Sequence, residues 1–314
     1  MMIHVLLNAL VPIFAVMALG YFAGWIRDVD NHHVAELNAL VMDFALPASL
    51  FVATASTSGA VLSEQWPLLV VFTVSMLALY ALSYWMQRHL FGLERGEAAV
   101  QAITIALPNY AAAGLPLIAA VLGPAGTIYV ALSIATGTIV LSPLTLATLE
   151  TNKASAGGND SAALPKAIGR SLCKPIVLGP VLGIAFSLLG IPLPEALRRS
   201  FQLIGESAGG VGLFLTGLIL SAQRIKLSGN MLSGTLLKNV VHPLLAAGLI
   251  LMLPMDRDTA RAVLLLCALP SGFFGILFGL RYGLESHVAG STLIASSLAS
   301  AATVAVALVL TAGW

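Results

Sequence analysis

Ten runs of about 20 apolar residues, each long enough to cross a bilayer as a helix, fill most of this sequence: Ile3–Trp25, Val34–Ser56, Pro67–Met86, Ala98–Leu122, Thr127–Thr148, Pro175–Leu193, Ser200–Ala222, Gly234–Leu253, Arg261–Leu280 and Val288–Leu310. In hydrocarbon every backbone polar group must be satisfied internally, which leaves helices and closed barrels as spanning structures. Strictly alternating segments, the signature of a barrel, are absent, so an all-α integral membrane protein with ten transmembrane helices is expected. Charge usage agrees: 9% of the 314 residues are charged and 58% are hydrophobic, against about one quarter charged in a soluble domain. A net charge of +1 excludes a broad nucleic-acid surface, so no nucleic-acid partner is expected. The first run follows Met1 without a positive leader, which reads as a span and not a cleaved signal. Cys173 and Cys267 lack the spacing of a metal or redox pair, and the histidines show no ligand spacing, so no cofactor or metal is expected. The sequence has no G-x-x-x-x-G-K-[ST], so ATP hydrolysis is not the energy source and an ion or solute gradient must be.

Two runs are interrupted. Ala106-Leu107-Pro108-Asn109-Tyr110 leads on to Gly114-Leu115-Pro116, and Leu269-Pro270-Ser271-Gly272-Phe273-Phe274-Gly275 answers it in the second half. Proline removes a backbone donor and presses on the preceding turn, so both helices should break or bend there. Broken helix at membrane depth survives only where protein or a polar cavity covers it, and paired breaks in two halves point to the binding site of a secondary transporter. Helices restarting after the prolines would aim free N–H groups and a positive dipole end at the cavity, enough to hold an anion without a dedicated arginine. Asn109, Tyr110 and Ser271 are the expected substrate contacts, grouped with Pro108, Pro270 and Gly114. The plainer alternative is a kink whose freed carbonyls those polar groups satisfy.

The halves look related. Pro12 and Pro175, Leu19 and Leu182, Gly20 and Gly183, Asp43 and Glu206, and Phe51 and Phe214 all stand 163 positions apart. An odd number of spans per half would make these inverted repeats, here residues 1–149 and 174–314, joined by a polar cytoplasmic linker at 150–173. Placing both termini outside puts eleven Lys and Arg residues, among them Arg27, Lys174, Lys238 and Arg281, on inner loops and leaves four outside: Arg198, Arg199, Arg257 and Arg261. Asp43 and Glu206, the acids inside apolar runs, are candidates for coupling H⁺ or Na⁺ to transport, with pairing near a helix end as the alternative. Lys238, one turn before His242, is expected at the inner membrane interface, with a polar face towards the substrate path as the alternative. Gly205-Glu206-Ser207-Ala208-Gly209 fits a hydrolase nucleophile elbow, but no strand precedes it, and its glycines are expected to serve close packing against the second span. No enzymatic activity is expected.

Asp43-Phe44-Ala45-Leu46-Pro47, Pro108-Asn109-Tyr110 with Gly114-Leu115-Pro116, Lys174-Pro175-Ile176-Val177, and Ser271-Gly272-Phe273-Phe274-Gly275 followed by Ser291-Thr292-Leu293 resemble the auxin efflux carrier family over nearly the whole chain, most closely its bacterial malonate carriers. The resemblance implies a scaffold of spans 1, 2, 6 and 7, a transport domain of spans 3–5 and 8–10, crossing broken helices 4 and 9, an elevator-type motion and a homodimer through the scaffold. It also implies that Asn109 contacts a carboxylate substrate. The long central loop of the plant members is missing. The expected function is secondary transport of malonate or a similar small carboxylate across the bacterial inner membrane. A carrier of malate, lactate or an aromatic carboxylate, or a channel, is the alternative.

Overall fold

The computed structural model describes residues 2–27, 29, 34–123, 126–156, 169, 172–221, 227–284 and 286–313. Among them every regular element is helical: α1 (Met2–Trp25), α2 (Val34–Ala39), α3 (Leu46–Ala55), α4 (Gly59–Glu64), α5 (Trp66–His89), α6 (Arg95–Ala106), α7 (Leu115–Leu122), α8 (Thr127–Ala156), α9 (Pro175–Leu188), α10 (Glu195–Gly205), α11 (Ser207–Ser221), α12 (Gly229–Leu236), α13 (His242–Ile250), α14 (Arg257–Cys267), α15 (Phe274–Arg281) and α16 (His287–Leu310). Among the described residues, five helical stretches are long and apolar enough to cross a membrane: Val34–Ala55, Trp66–His89, Ile128–Asn152, Glu195–Ser221 and His287–Leu310. The chain is an all-α membrane protein. Helix starts are marked by sequence: Ser228, Asp256 and Ser286 each accept a hydrogen bond from a backbone N–H three residues on.

Three segments wind as π-helix, Leu40–Ala45, Tyr110–Gly114 and Leu237–Val241. Each is followed at once by an Xaa-Pro pair: Leu46-Pro47, Leu115-Pro116 or His242-Pro243. A proline leaves the carbonyl four residues back without its donor, and a widened turn is the local remedy. The Leu46 N–H accordingly reaches the Val41 carbonyl and the His242 N–H that of Leu237, five residues back in both cases.

The helices from the two ends of the chain interleave. α1 lies along α11, and α3 along α9. Both contacts are made close by glycine: a Cβ on Gly20 would overlap the Phe214 carbonyl oxygen, and a Cβ on Gly183 would overlap that of Phe51. α5, α6 and α8 form a second group, joined by α12 and α13 through α16, α6 and α5. α8 runs on to Ala156, so Glu150 is helical and not part of a linker. Most of the expected linker, residues 157–168, 170 and 171, lies outside the described residues, as do Arg224 and Lys226.

Candidate functional site

α6 stops at Ala106 and the chain resumes its winding at Tyr110; α14 stops at Cys267 and α15 starts at Phe274. The two extended breaks lie antiparallel and pair, Pro108 opposite Ser271. The Asn109 N–H donates to the Pro270 carbonyl at 2.9 Å, and the Gly272 N–H donates to the Leu107 carbonyl at 2.8 Å. Two broken helices thus satisfy part of each other's backbone in the buried interior. The Ser271 N–H goes to Ser296 Oγ at 2.9 Å, and Ser296 Oγ donates to Asn239 Oδ1 at 2.7 Å, tying α16 and the third π segment to the same point.

Pro108, Asn109, Tyr110, Pro270 and Ser271, singled out from sequence, meet at this crossing. Asn109 is 3% exposed and Tyr110 2%. The Tyr110 ring stands edge-on to Phe72 with centroids 5.8 Å apart. The Tyr110 hydroxyl and Ser271 Oγ are buried and make no hydrogen bond among the described residues. Such groups cost about 1–3 kcal/mol each unless something polar meets them. Room is small in this conformation: a cavity of about 10 Å³ lined by Leu107, Pro108, Tyr110, Ile134, Thr138 and Phe274, space for about one water. Gly114 lies against Leu266, Leu269 and Val130 and serves the packing of the π segment.

The two acids are not brought to the crossing. Asp43 meets Arg281, Nη1 to Oδ1 at 2.5 Å, with the carboxylate side chain 22% exposed. This ion pair joins the first π segment to the end of α15. Beside it, Lys174 pairs with Glu150 at 3.4 Å and the Tyr282 hydroxyl donates to the same carboxylate at 3.2 Å. Glu206 is exposed and lines a different cavity, described below. Partly exposed pairs contribute little, so Asp43→Asn is expected to change stability by less than about 1 kcal/mol in a thermal-melt comparison. If that variant keeps its fold but loses gradient-driven uptake, Asp43 couples an ion and is more than a clasp.

One expectation about charge changes. Lys238 does not reach an interface: it is 0% exposed. Its ammonium contacts His242 Nδ1 at 2.9 Å and donates to the Cys267 carbonyl at 2.8 Å. Cys267 ends α14, so the cation sits on a carbonyl at the negative end of a helix that stops inside the protein. The elbow-like Gly205–Gly209 stretch is a helix joint where Ser207 Oγ donates to the Ile204 carbonyl at 2.6 Å. A Cβ on Gly205 would lie 2.9 Å from the Ser49 backbone, so this glycine serves packing against the second span, whereas a Cβ on Gly209 would meet no atom within 4 Å and the expected packing role does not extend to it.

The family model described as "Membrane transport protein" matches residues 5–308. "Uncharacterized transporter YfdV" of Escherichia coli (strain K12) is 26% identical over 300 residues, 95% of each chain. "Putative malonate transporter" of Rhizobium meliloti (strain 1021) is 26% identical over 310 residues, 93% of this chain and 92% of the relative. "Auxin efflux carrier component 8" of Arabidopsis thaliana is 21% identical over 346 residues, 93% of each. Both the auxin carrier resemblance and its malonate branch are therefore met among relatives.

Proposed function

Since the chain belongs to the membrane transport protein family, we propose that it is a secondary active transporter for malonate or a similar small carboxylate, with the Pro108/Ser271 crossing as its substrate site. The observation that carries this reading is the paired break itself. It brings Asn109, two unpartnered buried hydroxyls and the restarting ends of two helices to one point. Restarting helices favour a negative guest, and the hydroxyls supply directed hydrogen bonds.

Counting each interrupted helix as one crossing yields ten spans in two inverted repeats, residues 1–149 and 174–314. Reciprocal glycine contacts support the repeat. Gly20 and Gly183 are equivalent at the 163 offset, and so are the residues whose carbonyls they meet, Phe214 and Phe51. One contact is the other seen through the repeat. In this arrangement spans 1, 2, 6 and 7 are a scaffold through which two copies pair. Spans 3–5 and 8–10 carry the site past it as an elevator, with both termini on the outer face of the bacterial inner membrane. H⁺ or Na⁺ supplies the energy, with Asp43 and Glu206 as the candidate acids.

Uptake of labelled malonate into proteoliposomes, with proton and Na⁺ gradients imposed separately, tests the reading. Saturable uptake driven by one of them supports the carrier, its substrate and its ion together; no uptake under either would remove malonate. Asn109→Ala is expected to weaken apparent substrate affinity by about tenfold, the loss of one good hydrogen bond to a charged group. Unchanged affinity in folded protein would take Asn109 out of the site.

A further inference from the structure

We infer that Ile134 is the gate through which substrate passes from an outer cavity to the crossing. A cavity of about 410 Å³ opens between the second span and the α10–α11 helices, within the range of small-molecule sites. Its walls are Ser49, Leu50 and Ala53 on one side and Arg198, Gln202 and Glu206 on the other; α8 contributes Ile134. The cavity of about 10 Å³ at the crossing, lined by Pro108, Tyr110 and Thr138, shares only this residue with it. Ile134 is half-buried, as a side chain between two voids must be.

Behind it on the same face of α8, one turn on, stands Thr138. Buried threonines in an apolar helix usually return their hydroxyl to the carbonyl four residues back. Thr136 does so to Leu132 at 2.7 Å and Thr145 to Leu141 at 2.9 Å. Thr138 does not: its Oγ1 is buried without a partner while lining the small cavity. A hydroxyl kept at that cost beside the Tyr110 hydroxyl, itself unpartnered, fits a polar guest that arrives past Ile134. At the mouth Arg198 and Arg199 share Glu195, at 2.7 and 2.6 Å, and Glu206 lies on the same side of the cavity, so these four charges cancel and selection falls to the passage behind them.

This inference rests on the crossing being the substrate site, but its test needs no transport. Thr138→Cys is placed in a Cys173→Ser background, since Cys267 is fully buried. The purified protein is treated with the anionic thiol reagent 2-sulfonatoethyl methanethiosulfonate and labelling is followed by intact mass. With Ile134 present, labelling is expected to be slow; adding Ile134→Ala should speed it by about tenfold, as removal of a barrier near 1.4 kcal/mol would. Ile134→Val should give an intermediate rate and serves if the alanine variant does not fold. Ser49→Cys, in the wall of the large cavity, should label fast whichever residue stands at 134. Equal Thr138→Cys rates with Ile, Val and Ala at 134 would overturn the gate, and so would a slow Ser49→Cys. The expected labelling pattern without malonate uptake would leave the gate standing and remove the proposed substrate alone.

Discussion

Lys238→Met is expected to lower carboxylate uptake by several hundredfold, about 3.5 kcal/mol and the middle of the 2–5 kcal/mol range for truncating a buried charged partner, with a smaller loss of stability. The two halves of that expectation have separate causes. Taking an ammonium out of water costs several kcal/mol, and hydrogen bonds to His242 and the Cys267 carbonyl return about 1.5–3 kcal/mol each. Methionine has a similar reach and no charge, so the cost and the return vanish together, and what is lost is the partner of the buried His242 nitrogen and Cys267 carbonyl, about 1–3 kcal/mol each. What methionine cannot replace is a positive charge at the Cys267 carbonyl, three residues before Pro270, in a site read as holding an anion. The measurement is initial uptake beside a thermal melt of the purified variant. Full uptake would make Lys238 a structural cap on α14; a collapse of stability with uptake per folded molecule intact would do the same.

Much of the architecture was written locally. The apolar runs, the two Pro-marked breaks and the 163-residue offset all follow from spacing, and the crossing residues Pro108, Asn109, Tyr110, Pro270 and Ser271 meet where the breaks predict. The partners of charged residues were not legible. Asp43 and Arg281 are 238 positions apart, and no periodicity links them. The burial of Lys238 was hidden for a related reason. Lys238 and His242 lie one turn apart, a pattern that fits a polar face towards a buried path as well as a helix end at the interface, so sequence alone does not choose between them. Thr138 shares this difficulty with Ser133, Thr136 and Ser142 on the same helix. What distinguishes it is the absence of a back-bond and its place beside a cavity, both tertiary facts. Nor could composition tell that Asp43 and Glu206, 163 positions apart, would stand in unlike places, one in an ion pair and one in a cavity wall.

Gly272→Val is expected to be strongly destabilising, because it strikes the point where the broken helices satisfy one another. A Cβ at Gly272 would overlap the Leu107 carbonyl oxygen and lie 3.2 Å from that of Pro108. The Gly272 N–H donates to that same Leu107 carbonyl at 2.8 Å, so separating the chains to admit a side chain breaks the bond. An orphaned buried donor and acceptor cost about 1–3 kcal/mol each, and overpacking adds about 1–3 kcal/mol. The total exceeds about 3 kcal/mol, a large share of the 5–15 kcal/mol that holds a typical protein folded. A fluorescence-detected size-exclusion melt should show a large fall in apparent melting temperature, with Gly272→Ala between it and the parent. Gly248→Val is the control, since a Cβ there meets no atom within 4 Å, and it should melt with the parent. If Gly272→Val and Gly248→Val melt alike, the helices do not pair through their backbones. The substrate site would then lose its frame, since the pairing is what brings Asn109, Tyr110 and Ser271 together.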